Sequence, residues 1–312
     1  MNKAKLVSII MATYNRAEYI AESLRSIQNQ TYENFECLII DDGGNDNTFE
    51  VIEPILKTDS RFSFQKRTDN FQKGLPGTRN CGLDLAKGEY IIFFDDDDIA
   101  HPQNLELCVL ELSRNNVSFC RYIRGYFQDK FDYAFDYSTS YETFFIDKRD
   151  VFKLLNQSLP FNSCAVLWKK ECFEANRYTE HLLHAEEWEL YSRILSTGIV
   201  GISIKKTLYF ARQHSNSMTG HYFRLDPKRS LSNVHAILLV IQNLKEKGLL
   251  NYSIIRYFVA MSHGYREFNL FAQILKILKL NKINDFKWRM VYFVLPLRFK
   301  ITRFKKKLLN NS

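Results

Sequence analysis

Residues 88–102 read GEYIIFFDDDDIAHP. Five apolar or aromatic residues, Tyr90 to Phe94, run without interruption into four consecutive aspartates, Asp95 to Asp98. An apolar run without alternation, bounded by glycine on one side and charge on the other, predicts a strand buried on both faces. Four carboxylates at its end repel one another. At roughly 5 Å and an effective dielectric near 20, each pair costs about 3 kcal/mol. The stretch therefore predicts a strand inside a parallel sheet, with something cationic at its carboxyl end.

Working outward, KLVSIIMATYN (5–15) is a second buried strand that ends in polar residues. NRAEYIAESLRSIQNQ (15–30) follows as a helix, with Asn15 and Glu18 in a capping-box pattern and Ile20, Leu24 and Ile27 on one face. FECLII (35–40) is the next strand and runs into the turn-rich DDGGNDNT (41–48). A helix around 47–57, ended or kinked near Pro54, leads to a weak strand, RFSFQK (61–66). A Gly-punctuated loop (74–77) opens a helix at 78–87, closed by Gly88.

Strands alternating with helices imply an α/β fold with a doubly wound, mostly parallel sheet. Ligands of such sheets bind outside the carboxyl ends of the strands. Thr13-Tyr14-Asn15, Asp41-Asp42 and Asp95–Asp98 sit at those ends, so three polar clusters are expected to converge on one crevice.

Farther on, a helix starts at Pro102, VSFCRYI (117–123) and SCAVLW (163–168) read as strands, and 125–147 is rich in Tyr and Phe without a clear period. AEEWELYSRILSTG (185–198) is a helix with a Glu189–Arg193 pair at i,i+4. After about residue 221 the chain becomes helical, apolar and basic. The expected organisation is a domain at 1–220 followed by a helical, basic C-terminal region at 221–312.

The composition, 46% hydrophobic and 25% charged, suits a globular chain. Six cysteines show no CxxC pair or metal-ligand spacing, which predicts reduced thiols in a cytoplasmic protein. The run Leu6–Met11 is too short for a signal peptide, and no window reaches the roughly 20 apolar residues of a transmembrane helix. The net charge is +8, and residues 281–312 alone carry nine Lys/Arg against one acid, Asp285. The rest of the chain is neutral and lacks a nucleic-acid motif, so no nucleic-acid partner is expected.

VSIIMATYNRAEYI, LIIDDGGNDNT, GTRNCGLDLAKGEYIIFFDDDD, AEEWELYSR and RQHSNSM occur in this order. Together, over roughly residues 5–220, they resemble the family 2 glycosyltransferases of the GT-A (Rossmann-like) fold. The resemblance implies transfer of a sugar from a nucleotide diphosphate sugar to an acceptor, with inversion at the anomeric carbon. It makes Asp97 the ligand of Mg²⁺ or Mn²⁺, within an Asp95-x-Asp97 motif whose hard oxygens suit such ions. It gives Asp95 and Asp96 to ribose or sugar hydroxyls, and Arg79 to the diphosphate. Tyr14 and Asp42, with main-chain groups at Ala12 and Thr13, would hold the base; a ring and a carboxylate suit uracil, which favours a UDP-sugar and leaves GDP and dTDP open. Many relatives have proline where Ala12 stands. Glu187 matches the general base, with Glu where Asp is commoner. Arg212 and His214 match an element that closes over the diphosphate, and the histidine sometimes joins the metal. The resemblance leaves Asp98 without a role.

Each residue also has a plainer reading. Asp41 and Asp42 suit a turn beside Gly43-Gly44, and Glu186, Glu187 and Glu189 suit a helix N-terminus. Trp188 fits either an acceptor site or the core.

In the tail, Leu297, Ile301, Phe304 and Leu308 lie at i, i+4, i+7 and i+11, among Arg298, Arg303 and Lys305–Lys307. An apolar stripe with a cationic surround suits an anionic membrane interface, with Trp288 and Tyr292 at headgroup level. The expectation is an enzyme of cell-surface polysaccharide synthesis, peripheral on the inner face of the cell membrane, near a saccharide or lipid-linked acceptor. The competing reading is a catalytically inactive protein of the same fold that binds through its basic tail.

Overall fold

The computed structural model describes residues 4–213 and 226–309, with side chains through residue 296. The chain divides into two compact units, Met1–Ser232 and Asn233–Ser312. The boundary expected near residue 220 falls outside the described residues.

The first unit is built on a nine-stranded sheet. Its elements are β1 (Val7–Thr13), α1 (Ile20–Gln28), β2 (Phe35–Asp41), α2 (Thr48–Thr58), β3 (Phe62–Lys66), α3 (Leu75–Leu85), β4 (Tyr90–Phe94), β5 (Ile99–Ala100) and α4 (Asn104–Asn115). Then come β6 (Phe119–Gln128), β7 (Thr143–Ile146), α5 (Val151–Leu155), β8 (Val166–Lys169), α6 (Glu186–Leu195) and β9 (Gly201–Gln213). The strand order is β3-β2-β1-β4-β8-β6-β9-β5, with β7 paired to β9. From β3 to β4 every pairing is parallel, as the uninterrupted apolar runs require. Beyond β4 the sheet is mixed: β8 is antiparallel to β4 and β6, while β6 and β9 are parallel.

Consecutive strands β1 and β2 lie on one side of the first crossover and β4 on the other, so β1/β4 is the switch point where an α/β crevice opens. The register brings the three carboxyl ends level, with Thr13 opposite Asp41 and Met11 opposite Phe94. Ile9, Met11, Ile39, Ile92 and Phe94 form the core on one sheet face, and α1 adds Ile20, Leu24 and Ile27, the stripe read from its spacing.

Three local expectations are corrected. Asn15 does not cap α1, which begins at Ile20; Asn15 is left-handed (φ 54°) and its Oδ1 accepts from the backbone N–H groups of Asn45 and Asp46. It ties the end of β1 to the loop after β2. Of the two outcomes expected at Pro54, an end to the helix is excluded, since α2 runs on to Thr58. Gly88 is no helix cap: α3 ends at Leu85, and a Cβ on Gly88 would lie 2.6 Å from the Ser8 nitrogen. The close approach is used. Gly88 N–H donates to Ser8 Oγ (2.8 Å), while Ser8 Oγ and Lys87 N–H both donate to Glu36 Oε1 (2.6 Å each). This polar knot joins the amino-terminal side of β1, β2 and β4.

In the aromatic segment after β6, Phe131 and Phe135 pack on each other and on Phe210 of β9, and Phe135 and Tyr137 pack on His101. His101 is a structural residue: its Nδ1 accepts from Gln103 N–H and its Nε2 bonds the Asp136 carbonyl.

The second unit contains α8 (Tyr252–Met261), α9 (Leu270–Leu278) and α10 (Lys282–Leu309), preceded by α7 (Pro227–Glu246), which crosses the unit boundary. Val259, Leu275, Trp288 and Leu295 form its core. Trp288 stacks on Tyr252 and is buried, away from the headgroup level expected of it, while Tyr292 lies between His263 and Phe271 and keeps part of its surface exposed. Among the described residues no helix is long and apolar enough to cross a membrane. All six cysteines are free and buried.

Candidate active site

The four aspartates after β4 do not share one environment. Asp96 and Asp97 lie in a turn between β4 and β5, which sends the four side chains in different directions. Asp95 and Asp97 keep 35% and 16% of their side chains exposed, whereas Asp96 and Asp98 are buried. Asp96 turns onto Arg16, with Oδ1 3.2 Å from Nε, and the same guanidinium lies 3.6 Å from Asp97 Oδ2. Asp98 Oδ1 accepts from the Arg212 backbone N–H (2.8 Å), tying the aspartates to β9. Burial pushes the Asp98 carboxyl well up, with repulsion from Asp95 and Asp97 added, and burial lifts Asp96 to about 7 against the pull of Arg16. The repulsion seen in the sequence is thus relieved in part by arginines brought from elsewhere in the chain.

Arg79, on α3, is the centre of the arrangement. It is buried between the rings of Phe93 and Tyr178, and its two terminal nitrogens reach in different directions. Nη1 donates to Glu187 Oε1 at 2.7 Å; Nη2 donates to Asp95 Oδ1 at 3.1 Å and to Ser163 Oγ at 3.0 Å. Ser163 N–H donates to the other Glu187 oxygen at 3.1 Å. Glu187 stands in the first turn of α6, after the left-handed Ala185 (φ 64°). Burial alone would push its carboxyl up, but Arg79 and Ser163 outweigh burial and hold it below the usual carboxylate value. Its neighbour Glu186, buried and repelled by Glu187, is lifted to about 7. Glu189 is structural: it accepts from Thr179 and pairs with Arg193 at 2.8 Å, the pair expected from spacing. Trp188 donates its indole N–H to the Leu155 carbonyl.

On the other side of the crevice, Asp42 accepts from Arg67 Nε (2.6 Å) and Gly74 N–H (2.9 Å), and its own N–H donates to the Thr13 carbonyl. It fixes the loop leading into α3, and each oxygen retains a further lone pair. Asp41 is the turn residue, accepting from Gly44 N–H. Tyr14, at the end of β1, is 47% exposed, with Lys73 Nζ 5.0 Å from its ring centre. Ala12 and Thr13 lie at the end of the same strand. Arg212 is buried; its guanidinium donates to the carbonyls of Asp97 and Asp129 and to Glu22, and lies over Phe127 and Tyr19. His214 lies outside the described residues.

Three participants carried no role in the sequence. Arg16 and Ser163 reach the site across long stretches of chain. Arg124, on β6, contacts Cys164 and donates to Tyr126 Oη, and its Nε is buried without a partner.

Ligand atoms of Asp95, Asp98 and Cys164 lie within 4.8 Å of one another. Burial pushes the Cys164 thiol well up, so it stays protonated and offers little to a hard ion. Carboxylate oxygens from Asp95, Asp97 and Asp98 are the groups that suit Mg²⁺ or Mn²⁺.

The profile of Glycosyl transferase family 2 matches residues 8–173, more than half of the chain. The chain belongs to that family. Over 115 residues it is 43% identical to the UDP-Glc:alpha-D-GlcNAc-diphosphoundecaprenol beta-1,3-glucosyltransferase WfgD of Escherichia coli, a match that covers 36% of this chain and 44% of WfgD. The chain thus spans under half the length of that relative. Over 241 residues it is 26% identical to glycosyltransferase GlyG of Streptococcus pneumoniae serotype 4, covering 74% of this chain and 78% of GlyG. The GT-A fold recurs in S. aureus TarS 1–349 in complex with UDP-GlcNAc, with a TM-score of 0.61 at 16% identity over 91% of this chain and 79% of TarS. It recurs again in mannosyltransferase PcManGT from Pyrobaculum calidifontis in complex with GDP-Man and Mn²⁺, with a TM-score of 0.58 at 16% identity over 95% and 81%.

Proposed function

We propose that this family 2 member is an inverting glycosyltransferase that moves a sugar from a UDP-sugar to a lipid-linked saccharide at the inner face of the cell membrane, in cell-surface polysaccharide synthesis. The observation that carries the reading is Arg79, whose one guanidinium holds both Asp95 and Glu187. A structural arginine needs one carboxylate partner. This one ties the acidic end of β4 to the first turn of α6, setting the spacing between the departing diphosphate and the attacking hydroxyl.

In this reading Tyr14 stacks on the base, Asp42 accepts from its N–H, and Ala12 and Thr13 offer main-chain groups. Asp97, with Asp95 beside it, would hold Mg²⁺ or Mn²⁺, which supplies positive charge to the leaving diphosphate. Arg79 and Arg212 reinforce that charge from behind, and His214 is assigned to the same end of the donor. Glu187 takes the proton of the acceptor hydroxyl as it attacks the anomeric carbon from the face opposite the leaving group. Its lowered pKa keeps it ionised at neutral pH, and both its oxygens are oriented before substrate arrives. A UDP-sugar and a lipid-diphosphate acceptor are favoured because WfgD bears both in its name.

The test is transfer from a panel of UDP-, GDP- and dTDP-sugars to a GlcNAc-diphosphate lipid, with and without Mn²⁺. Glu187→Gln is expected to retain donor binding by calorimetry and to lose transfer by about 10²–10⁴-fold. Normal turnover in that variant would overturn the base assignment, and no donor binding of any kind would overturn the function.

A further inference from the structure

The long helix α10 presents an apolar ridge that is exposed among the described residues. Ile283, Phe286, Met290 and Phe293 are 80%, 66%, 48% and 73% exposed, and Val294 lies beside them. Their spacing of three and four residues places them on a single stripe spanning an arc of about 100°. The face that packs into the unit is a different one, carrying Trp288 and Leu295. Four large apolar side chains in a row are far from the scattered exposure that needs no explanation.

The charges are arranged around the ridge. At roughly 100° per residue, Lys282 and Arg289 fall along one border and Lys287 along the other. The stripe read from the sequence at Leu297, Ile301, Phe304 and Leu308 lies beyond the residues whose side chains are described. The one acid, Asp285, is held by Arg289 at 2.6 Å. An apolar stripe edged by cations on both sides matches a bilayer: the stripe enters the acyl boundary while the amines reach phosphates. A second copy is a poorer occupant, since a two-fold pairing of the stripe would set like-charged borders against each other.

We propose that the α10 ridge of Ile283, Phe286, Met290 and Phe293 is a membrane-insertion surface that seats the chain on an anionic bilayer. The proposal extends the lipid-linked acceptor reading by naming the surface that reaches the lipid. It differs from the sequence expectation in placing Trp288 inside the protein and the inserting residues on another face of the helix.

The full chain is sedimented with vesicles of phosphatidylcholine alone and of an equimolar mixture with phosphatidylglycerol, alongside size-exclusion chromatography without lipid. The expected result is binding to the anionic vesicles, reduced about tenfold or more by Phe286→Ser with Phe293→Ser. Lys287→Gln should weaken the anionic preference by about fivefold. Phe145→Ser, an equally exposed ring on β7, should change nothing. Three results overturn the proposal: no vesicle binding, binding that survives both serines, or a lipid-free dimer that the serines dissociate. Because no arm reads sugar transfer, its failure leaves the proposed activity untouched.

Discussion

Removing the Arg79 guanidinium is the most searching perturbation of this site. Arg79→Met keeps the bulk between Phe93 and Tyr178 and deletes the hydrogen bonds to Glu187, Asp95 and Ser163. Hydrogen bonds to charged groups contribute about 1.5–3 kcal/mol each. Asp95 and Glu187 border the crevice and can rehydrate, so the three do not add in full. A net loss of about 3–5 kcal/mol follows, as for one partner taken from a buried ion pair. For a unit of this size that lowers the melting temperature by roughly 10 °C, read by calorimetry at pH 7. The sign with pH is also set. The folded pKa of Glu187 is depressed, so its stabilising contribution is present above the unfolded carboxylate pKa and is lost as pH falls through the folded value. Without Arg79, burial pushes Glu187 up. The acid limb of kcat/KM, which reports the free enzyme, should then move toward neutral pH in the variant. Arg79→Lys should retain part of the stability but not the orientation, because an ammonium is a point charge rather than a fork. An Arg79→Met protein with wild-type melting and an unshifted acid limb would refute the bridge.

Glu187→Asp withdraws the carboxylate by one methylene from Arg79 and should lower kcat by about 10²-fold with little change in donor affinity. Asp97→Asn should raise the Mn²⁺ concentration needed for half-maximal transfer, whereas Asp98→Asn, which weakens a buried acceptor for Arg212 N–H, should act on stability by about 1–3 kcal/mol, read as a melting shift. Tyr14→Ala should weaken UDP binding about tenfold by calorimetry while leaving the melting temperature in place, since the ring is exposed. Gly88→Ala drives a methyl into the backbone of β1 at Ser8 and Leu6 and should destabilise by about 1–3 kcal/mol; an unchanged melting temperature would discount the knot.

The parallel half of the sheet was legible because strands buried on both faces read as unbroken apolar runs, and VSIIMAT, FECLIID and YIIFF have no other comfortable place. The mixed half was not. β5 has two residues, and β6 is buried over its first four residues and mostly not beyond them, so pairing depends on contacts made far along the chain. Asn15 shows how a local pattern loses to a tertiary one: the capping-box spacing was present, but two backbone donors of the next loop claimed its side chain. At the site, the acidic residues were visible as a cluster, while the groups that orient them were not. Arg16 stood inside a recognised motif but without a role, and Ser163 in none, because a counter-charge is recruited by position in space. Asp98 gained a role only once Arg212 was seen to donate to it. In α10 the apolar residues occupy two faces, and sequence spacing alone could not tell which one faces inward.

The knot of Ser8, Glu36 and Gly88 lies at the end of the sheet away from the crevice. Like the rivet of a folding fan, it clasps three blades where nothing has to be recognised. The loops at the opposite edge can therefore change in length and composition without loosening the frame. On the proposed function, exchanging the segment between β2 and α2, or the chain ahead of α3, should alter which donor the crevice accepts and leave the clasp as it was.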